Sequence, residues 1–191
     1  KKRHRKGQFR KQKKSNIPNR ISITERPSEI GERRDVGHWE ADLVMSRAGK
    51  AALNVLVERR SRYTLITKLP DKTARFTRQA ILQRLADFQP FVRQSITYDN
   101  GSENADHQFI NRHLGTKSYF CQPYHSWEKG TIENTNGLIR RFAPKKTDFA
   151  LVTEDNVSFI EKRLNSRPRK CLSYQTPSEV LRRLTGGALP D

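Results

Sequence analysis

Cysteine is scarce in this chain. Two thiols, Cys121 and Cys171, stand far apart in 191 residues. They are too few for a disulfide scaffold or a zinc cluster, and they read as ordinary thiols of a reducing cytosol. Long apolar runs are missing as well. None approaches the roughly 20 residues that a membrane-spanning helix needs, and no signal-peptide core is visible. Methionine occurs once, at Met45, and the chain opens KKRHRKG. Residue 1 therefore does not read as a natural start, and the expectation is the C-terminal part of a longer protein. Acid is in short supply: 20 Asp and Glu face 38 Lys and Arg, for a net charge of +18. That imbalance argues against an ordinary metabolic enzyme and for a polyanionic partner, nucleic acid first.

The charge is unevenly spread. The first twenty residues carry ten Lys or Arg and no acid. Residues 1–36 read as a basic, largely disordered arm and linker, suited to non-specific DNA contact. A core is expected over residues 37–191. HWEADLVMS, AALNVLVER and RYTLITKLP are strand-like runs with short turns between them, which predicts an antiparallel meander. Residues 73–88 switch to helical spacing. SITYD reads as a fourth strand, residues 103–114 as a helix and KSYFC as a fifth strand. Residues 126–142 follow as a helix with Ser126 as its cap, then residues 153–165 and a last short helix at TPSEVLRRL. Three hairpin strands followed by alternating strands and helices predict a five-stranded mixed sheet flanked by helices, an α/β order of the ribonuclease H-like kind.

Three acids stand out in this basic background. Asp42 lies amid Trp39, Leu43 and Val44, where an unpaired charge is costly. Glu40 has the same strand parity and faces the same side. Asp99 closes the fourth strand, where open sheets bind ligands, although Asp-Asn-Gly is also a common turn. Glu133 falls on a later helix, where glutamate is otherwise an ordinary surface residue. Three convergent carboxylates suit Mg²⁺, which prefers oxygen ligands. Two such ions clamp the attacking and leaving oxygens of an in-line phosphoryl displacement.

Five blocks in order resemble a known family: IPNRISITERP, GHWEADLV, TYDNGSE, PYHSWEKGTIENTNGLIRRFAPK and RLNSRPRKCLSYQTPSEVL. They are similar to the catalytic part of a bacterial insertion-sequence transposase of the DDE type, within the insertion-sequence-thirty family and the retroviral integrase superfamily. The resemblance implies an integrase catalytic core of ribonuclease H type. It implies Asp42, Asp99 and Glu133 as catalytic, metal-binding acids, with 33 residues between the last two. It also implies Arg140 as a phosphate grip on the helix face of Glu133. The chain departs from the family's usual pattern at Asn104, Ile132 and His125, none of them a ligand.

The implied reaction is Mg²⁺-dependent cleavage of DNA ends and strand transfer, with Mn²⁺ able to substitute and two ions when DNA is bound. Partners would be double-stranded DNA and further copies of the chain, in the bacterial cytoplasm at the nucleoid. No membrane and no small-molecule cofactor are expected. A non-catalytic DNA-binding protein derived from a transposase remains the alternative. Lys129, Arg141, Arg167, Arg169, Lys170 and His125 are candidate DNA contacts. Glu40, Asn100 and Glu103 are candidate auxiliary groups around the acids.

Overall fold

The computed structural model describes residues 17–47, 50–123 and 125–187, without the side chains of residues 126 and 127. The basic residues 1–16, the cap expected at Ser126 and the side chain of Trp127 lie outside the described residues. A short helix, α1 (Ser28–Glu32), precedes three strands, β1 (His38–Met45), β2 (Ala52–Glu58) and β3 (Thr64–Leu69). Then come α2 (Ala74–Leu85), β4 (Ser95–Tyr98), α3 (His107–Leu114) and β5 (Lys117–Phe120). Three helices close the chain: α4 (Gly130–Phe142), α5 (Glu154–Asn165) and α6 (Pro177–Leu184). The sheet order is β3-β2-β1-β4-β5. The first three strands are antiparallel, while β4 and β5 run parallel to β1. This is the five-stranded mixed sheet that the periodicity predicts.

Strand alternation sorts the side chains onto two faces. Trp39, Ala41, Leu56, Ile96 and Tyr98 pack with Ile81 and Leu85 of α2 and Ile110 of α3. Val44, Val55 and Val57 pack with Ile132 and Ile139 of α4 and Val157 and Ile160 of α5. The even positions of β1 thus point at α4, and Glu40 and Asp42 are among them.

Two helices start later than their apolar pattern predicts. Residues 103–114 divide into a 3-10 turn, Ser102–Asn104, and α3. Residues 126–142 divide into a 3-10 turn, Ser126–Lys129, and α4. Lys129 at φ −115 and ψ 36 leaves the helical region and ends the first turn.

The linker expected up to residue 36 is instead laid on the core from Ile17 onward. Ile17, Ile30 and Val36 are buried. His107 Nε2 donates to the Pro18 carbonyl at 2.8 Å, and Ser22 bridges Phe120 in parallel. The reason is the sheet edge: β5 has an open side, and this segment covers it. At Gly37 the chain turns into β1 with φ +100, where a Cβ would stand 2.4 Å from the Phe91 carbonyl oxygen.

Candidate active site

The site begins where two parallel strands part. β1 pairs with β4 only as far as Glu40 against Thr97, while β1 continues to Met45 against β2. Beyond that point the carboxyl ends of β1 and β4 diverge and leave a crevice, the usual ligand position of an open α/β sheet. Asp42 stands on one wall and Asp99, the residue after β4, on the other. Glu133, in the first turn of α4, reaches the same rim. All three line one open pocket of about 400 Å³.

Buried polar contacts fix that geometry. Glu40 is fully buried, and its Oε2 accepts the amide of Ile132 at 2.9 Å. It thereby caps α4 from outside the helix, where free amides and the dipole favour an anion. Its Oε1 accepts from Arg59 Nε at 3.0 Å, so the buried charge is paired. Glu40 is a positioning residue that pins the start of α4 to β1, not a lining group of the pocket. The Asp42 carboxylate accepts from Asn136 Nδ2 at 2.6 Å and Lys129 Nζ at 3.2 Å. The Asp99 carboxylate accepts from Asn104 Nδ2 at 2.8 Å and the Gly101 amide at 3.2 Å.

Lys129 is the sequence-selected cation whose placement differs most from expectation. Its ammonium does not face outward but sits between the aspartates, 3.9 Å from Asp99 Oδ2, with a third contact to the Ala41 carbonyl at 3.1 Å. Burial acts to lower its pKa, but the charges of Asp42 and Asp99 outweigh that and hold the amine above its usual value. One ammonium serves two carboxylates. Burial therefore raises the pKa of Asp42; Lys129 opposes this and the charge of Asp99 reinforces it. Glu103 lies close by: burial raises its pKa, and the charges of Asp99 and Asp42 add to that. Cys121 also lines the pocket, and burial pushes its thiol to about 12, so it is inert as a nucleophile there.

Among the described residues no three or more His, Cys, Asp or Glu side chains stand close enough together to hold a metal ion. The acids share a pocket without closing into a cage. Three like charges with one ammonium shared between two of them have no reason to approach further.

Of the other selected residues, Asn100 and His125 line the acid pocket, and the remaining cations scatter. Asn100 is a latch: it donates to the Cys121 carbonyl at 2.7 Å and accepts from Arg20. His125 lines the acid pocket and lies 3.8 Å from Glu128. Arg140 does not join Glu133. Seven residues along a helix is about 10 Å, and Arg140 instead donates to the Met45 carbonyl at 2.7 Å, beneath the ring of Phe149. Arg141 and Arg167 line a groove beside Arg163, and Lys170 is exposed. Arg169 turns toward α4, into a cavity with Arg33 and Arg62. Sequence reasoning missed Asn136 and the inward role of Asn104. Asn136 had one signal, its place one turn after Glu133 on an Asn-rich helix.

Comparison with known proteins gives a consistent picture. The integrase core domain family matches residues 32–126, a span that holds Asp42 and Asp99. The transposase for insertion sequence element IS1086 of Cupriavidus metallidurans is 40% identical over 169 residues, which are 88% of this chain and 50% of the relative. The transposase InsI for insertion sequence element IS30A of Escherichia coli is 43% identical over 176 residues, which are 92% of this chain and 45% of the relative. The chain thus spans about half the length of the curated relatives it matches. Among solved structures, the simian T-cell lymphotropic virus intasome superposes with a TM-score of 0.66 at 19% identity, covering 82% of this chain and 58% of that one. The catalytic core domain of BIV integrase superposes with a TM-score of 0.58 at 23% identity, covering 75% of this chain and 91% of that one. These two likenesses establish the ribonuclease H-like fold.

Proposed function

The chain carries the integrase core of the insertion-sequence-thirty transposases, and from that premise we propose that it is the DNA-cutting and DNA-joining part of such an enzyme. The observation that supports this most is the meeting of Asp42, Asp99 and Glu133 around one pocket where β1 and β4 part. The substrate is double-stranded DNA, the element's end first and the target second. In the first step a water oxygen attacks phosphorus at the element's end. The bond from phosphorus to the 3′ oxygen breaks, and that oxygen takes a proton and leaves as a 3′-hydroxyl. In the second step this hydroxyl attacks a target phosphorus. A new phosphodiester forms as the target's own bond to its 3′ oxygen breaks, so the number of phosphodiesters is conserved.

The donor set fits a divalent ion by its chemistry, and its three carboxylates would have to draw closer to hold one. It offers oxygen alone, carries excess negative charge and already holds one cation, the Lys129 ammonium, between the two aspartates. Asp42, Asp99 and Glu133 would hold Mg²⁺, or Mn²⁺ in its place, and two ions with DNA bound. Such ions supply Lewis acidity at the phosphoryl oxygens and a more acidic water. Asn136 and Asn104 keep the two aspartate carboxylates oriented, a role that outer-shell amides commonly fill. His125 contacts DNA at the pocket rim, and Arg141, Arg167 and Lys170 contact its backbone. The protein works as a multimer on DNA in the bacterial cytoplasm. Among the described residues no helix is long and apolar enough to cross a membrane.

The deciding experiment gives the full-length protein labelled element ends and Mg²⁺. Nicked ends and strand-transfer products are expected, and both should vanish with Asp99→Asn. Tight binding with neither product from the unaltered protein would favour the non-catalytic DNA-binding alternative. The nine Lys and Arg of residues 1–16 form a DNA arm in this reading. Their removal should flatten the salt dependence of binding by about 0.9 in log–log slope for each phosphate released.

A further inference from the structure

Three arginines from distant segments converge beside the first turn of α4. Arg33 ends α1, Arg62 lies in the turn between β2 and β3, and Arg169 lies in the loop between α5 and α6. They line a cavity of about 190 Å³ with Thr131, Asn134 and Cys171. Arg33 Nη2 and Arg62 Nη1 both donate to the Thr131 hydroxyl, at 3.2 and 2.7 Å. Two cations thus share one neutral oxygen. The Nε atoms of Arg62 and Arg169 are shut off from solvent with no hydrogen-bond partner among the described residues. No carboxylate lines the cavity. Glu40, an acid whose charge reaches Arg62, already serves Arg59 and the Ile132 amide.

Such a gathering is unfavourable on its own. Burial, and next the charge of Arg33, lower the pKa of the Arg62 guanidinium. Burial and Arg167 do the same to Arg169. Arg33 and Arg62 are also held in left-handed backbone conformations, at φ 58 and φ 64. Non-glycine residues in that region are costly and cluster at ligand clamps. Buried donors without acceptors and cations without an anion share one remedy, a bound anion with several oxygens. Guanidinium forks match phosphate geometry, and the cavity has room for roughly six waters, enough for a phosphate group.

We propose that this cavity binds a phosphate group, and that a phosphodiester of the DNA backbone supplies it. The proposal rests on the DNA-joining reading given above. Asn134 lines this cavity and Glu133 lines the acid pocket, so consecutive residues of α4 face the two sites. A helix is about 10 Å across. A strand with one phosphate at the acids would present another, a few nucleotides along, to the arginines.

The test uses the whole chain and a duplex of unrelated sequence, with affinity measured by fluorescence anisotropy from 50 to 200 mM salt. Arg33→Gln with Arg169→Gln should flatten the log–log salt slope by about 0.9, one phosphate contact. Across that fourfold range the unaltered chain then loses roughly three- to fourfold more affinity than the variant. The charge-keeping pair Arg33→Lys with Arg169→Lys should hold most of the slope. Thermal melting checks folding, and the exposed Arg33→Gln alone serves if the pair unfolds. A slope unchanged in a folded glutamine variant overturns the proposal. Inorganic phosphate is a second probe. If it raises the melting temperature of the unaltered chain but not of the variant, and the DNA slope stays put, the pocket takes free phosphate and the DNA assignment is overturned. Nicking activity is read separately. A slope change without nicking leaves the pocket standing and removes the catalytic reading, and nicking with a flat response does the reverse.

Discussion

The two sides of the first turn of α4 are electrostatic opposites. On one side Asp42 and Asp99 share a single ammonium, that of Lys129, in a pocket that Glu133 also lines. On the other, Arg33 and Arg62 share a single neutral hydroxyl, that of Thr131, in a cavity that Arg169 also lines. One pocket is short of positive charge and the other of negative. Neither arrangement is explained by stability, since like charges gathered in partly buried sites repel one another and lose hydration. A phosphodiester strand accompanied by divalent ions would satisfy both sides at once. Between them runs Glu40, the one acid of the region with every demand met. The contrast separates residues that hold the site from residues that wait for a ligand.

The contrast breaks first at Glu40. Glu40→Ala removes the outer cap of α4 and leaves the buried Arg59 with the Ile30 carbonyl as acceptor but no carboxylate to pair its charge. The expected loss is about 3–5 kcal/mol of stability, read by chemical denaturation. A loss under about 1 kcal/mol would mean that α4 needs no anchor on β1. Next comes Asp99→Asn. Losing a carboxylate should lower cleavage and strand transfer by about 100-fold or more, since even outer groups of metal sites commonly matter by 10–100-fold. DNA affinity should hold or rise, because a charge that repels phosphate has gone. Joining at near the original rate would remove Asp99 from the mechanism.

Arg140 sharpens the comparison from the far end of the same helix. Its spacing from Glu133 suggests a phosphate grip, but its guanidinium is hooked over the Met45 carbonyl and those of Ala143 and Pro144. Arg140→Ala should therefore lower stability by about 1–2 kcal/mol and leave the salt slope of DNA binding unchanged. A slope flatter by about 0.9 would return Arg140 to the DNA contacts.

What was legible in the sequence follows from period and register. The alternation in HWEADLV sets β1 and puts Glu40 and Asp42 on one face. SITYD followed by Asn-Gly ends β4 just before Asp99. Strand order then brings β1 beside β4, as the hairpin pattern predicts. What was not legible depends on contacts between segments far apart in the chain. Nothing local to Ile17 or Pro18 says that they cover the edge of β5. Nothing local to Lys129 says that its amine turns inward, since a lysine before a helix is equally at home in water. The arginine pocket is the extreme case. Its members stand at residues 33, 62 and 169; the first two are unremarkable cations in their own stretches, the third reads as an outward DNA contact, and only the packed fold shows that they share a cavity.

The smallest predicted effect concerns Lys129, and it tests whether the acid pocket is truly short of cation. Lys129→Gln keeps an unbranched stem, one atom shorter, and a hydrogen-bond donor, but removes the charge between Asp42 and Asp99. The two carboxylates then lack their shared counterion, and the variant should melt below the unaltered chain. Added Mg²⁺ stabilises whichever form binds it better, by mass action on the folded state. With the ammonium gone, the ion meets no competitor. The Mg²⁺-dependent gain should be larger in the variant by about 1 kcal/mol, which for a chain of this size is roughly 2–4 °C in melting temperature. Combining Lys129→Gln with Asp99→Asn should erase that excess, because the second carboxylate is what the ion would exploit. Equal Mg²⁺ shifts in the unaltered chain and in Lys129→Gln would mean that the ammonium and the ion do not share a place. The excess negative charge of Asp42, Asp99 and Glu133 would then need another explanation than metal.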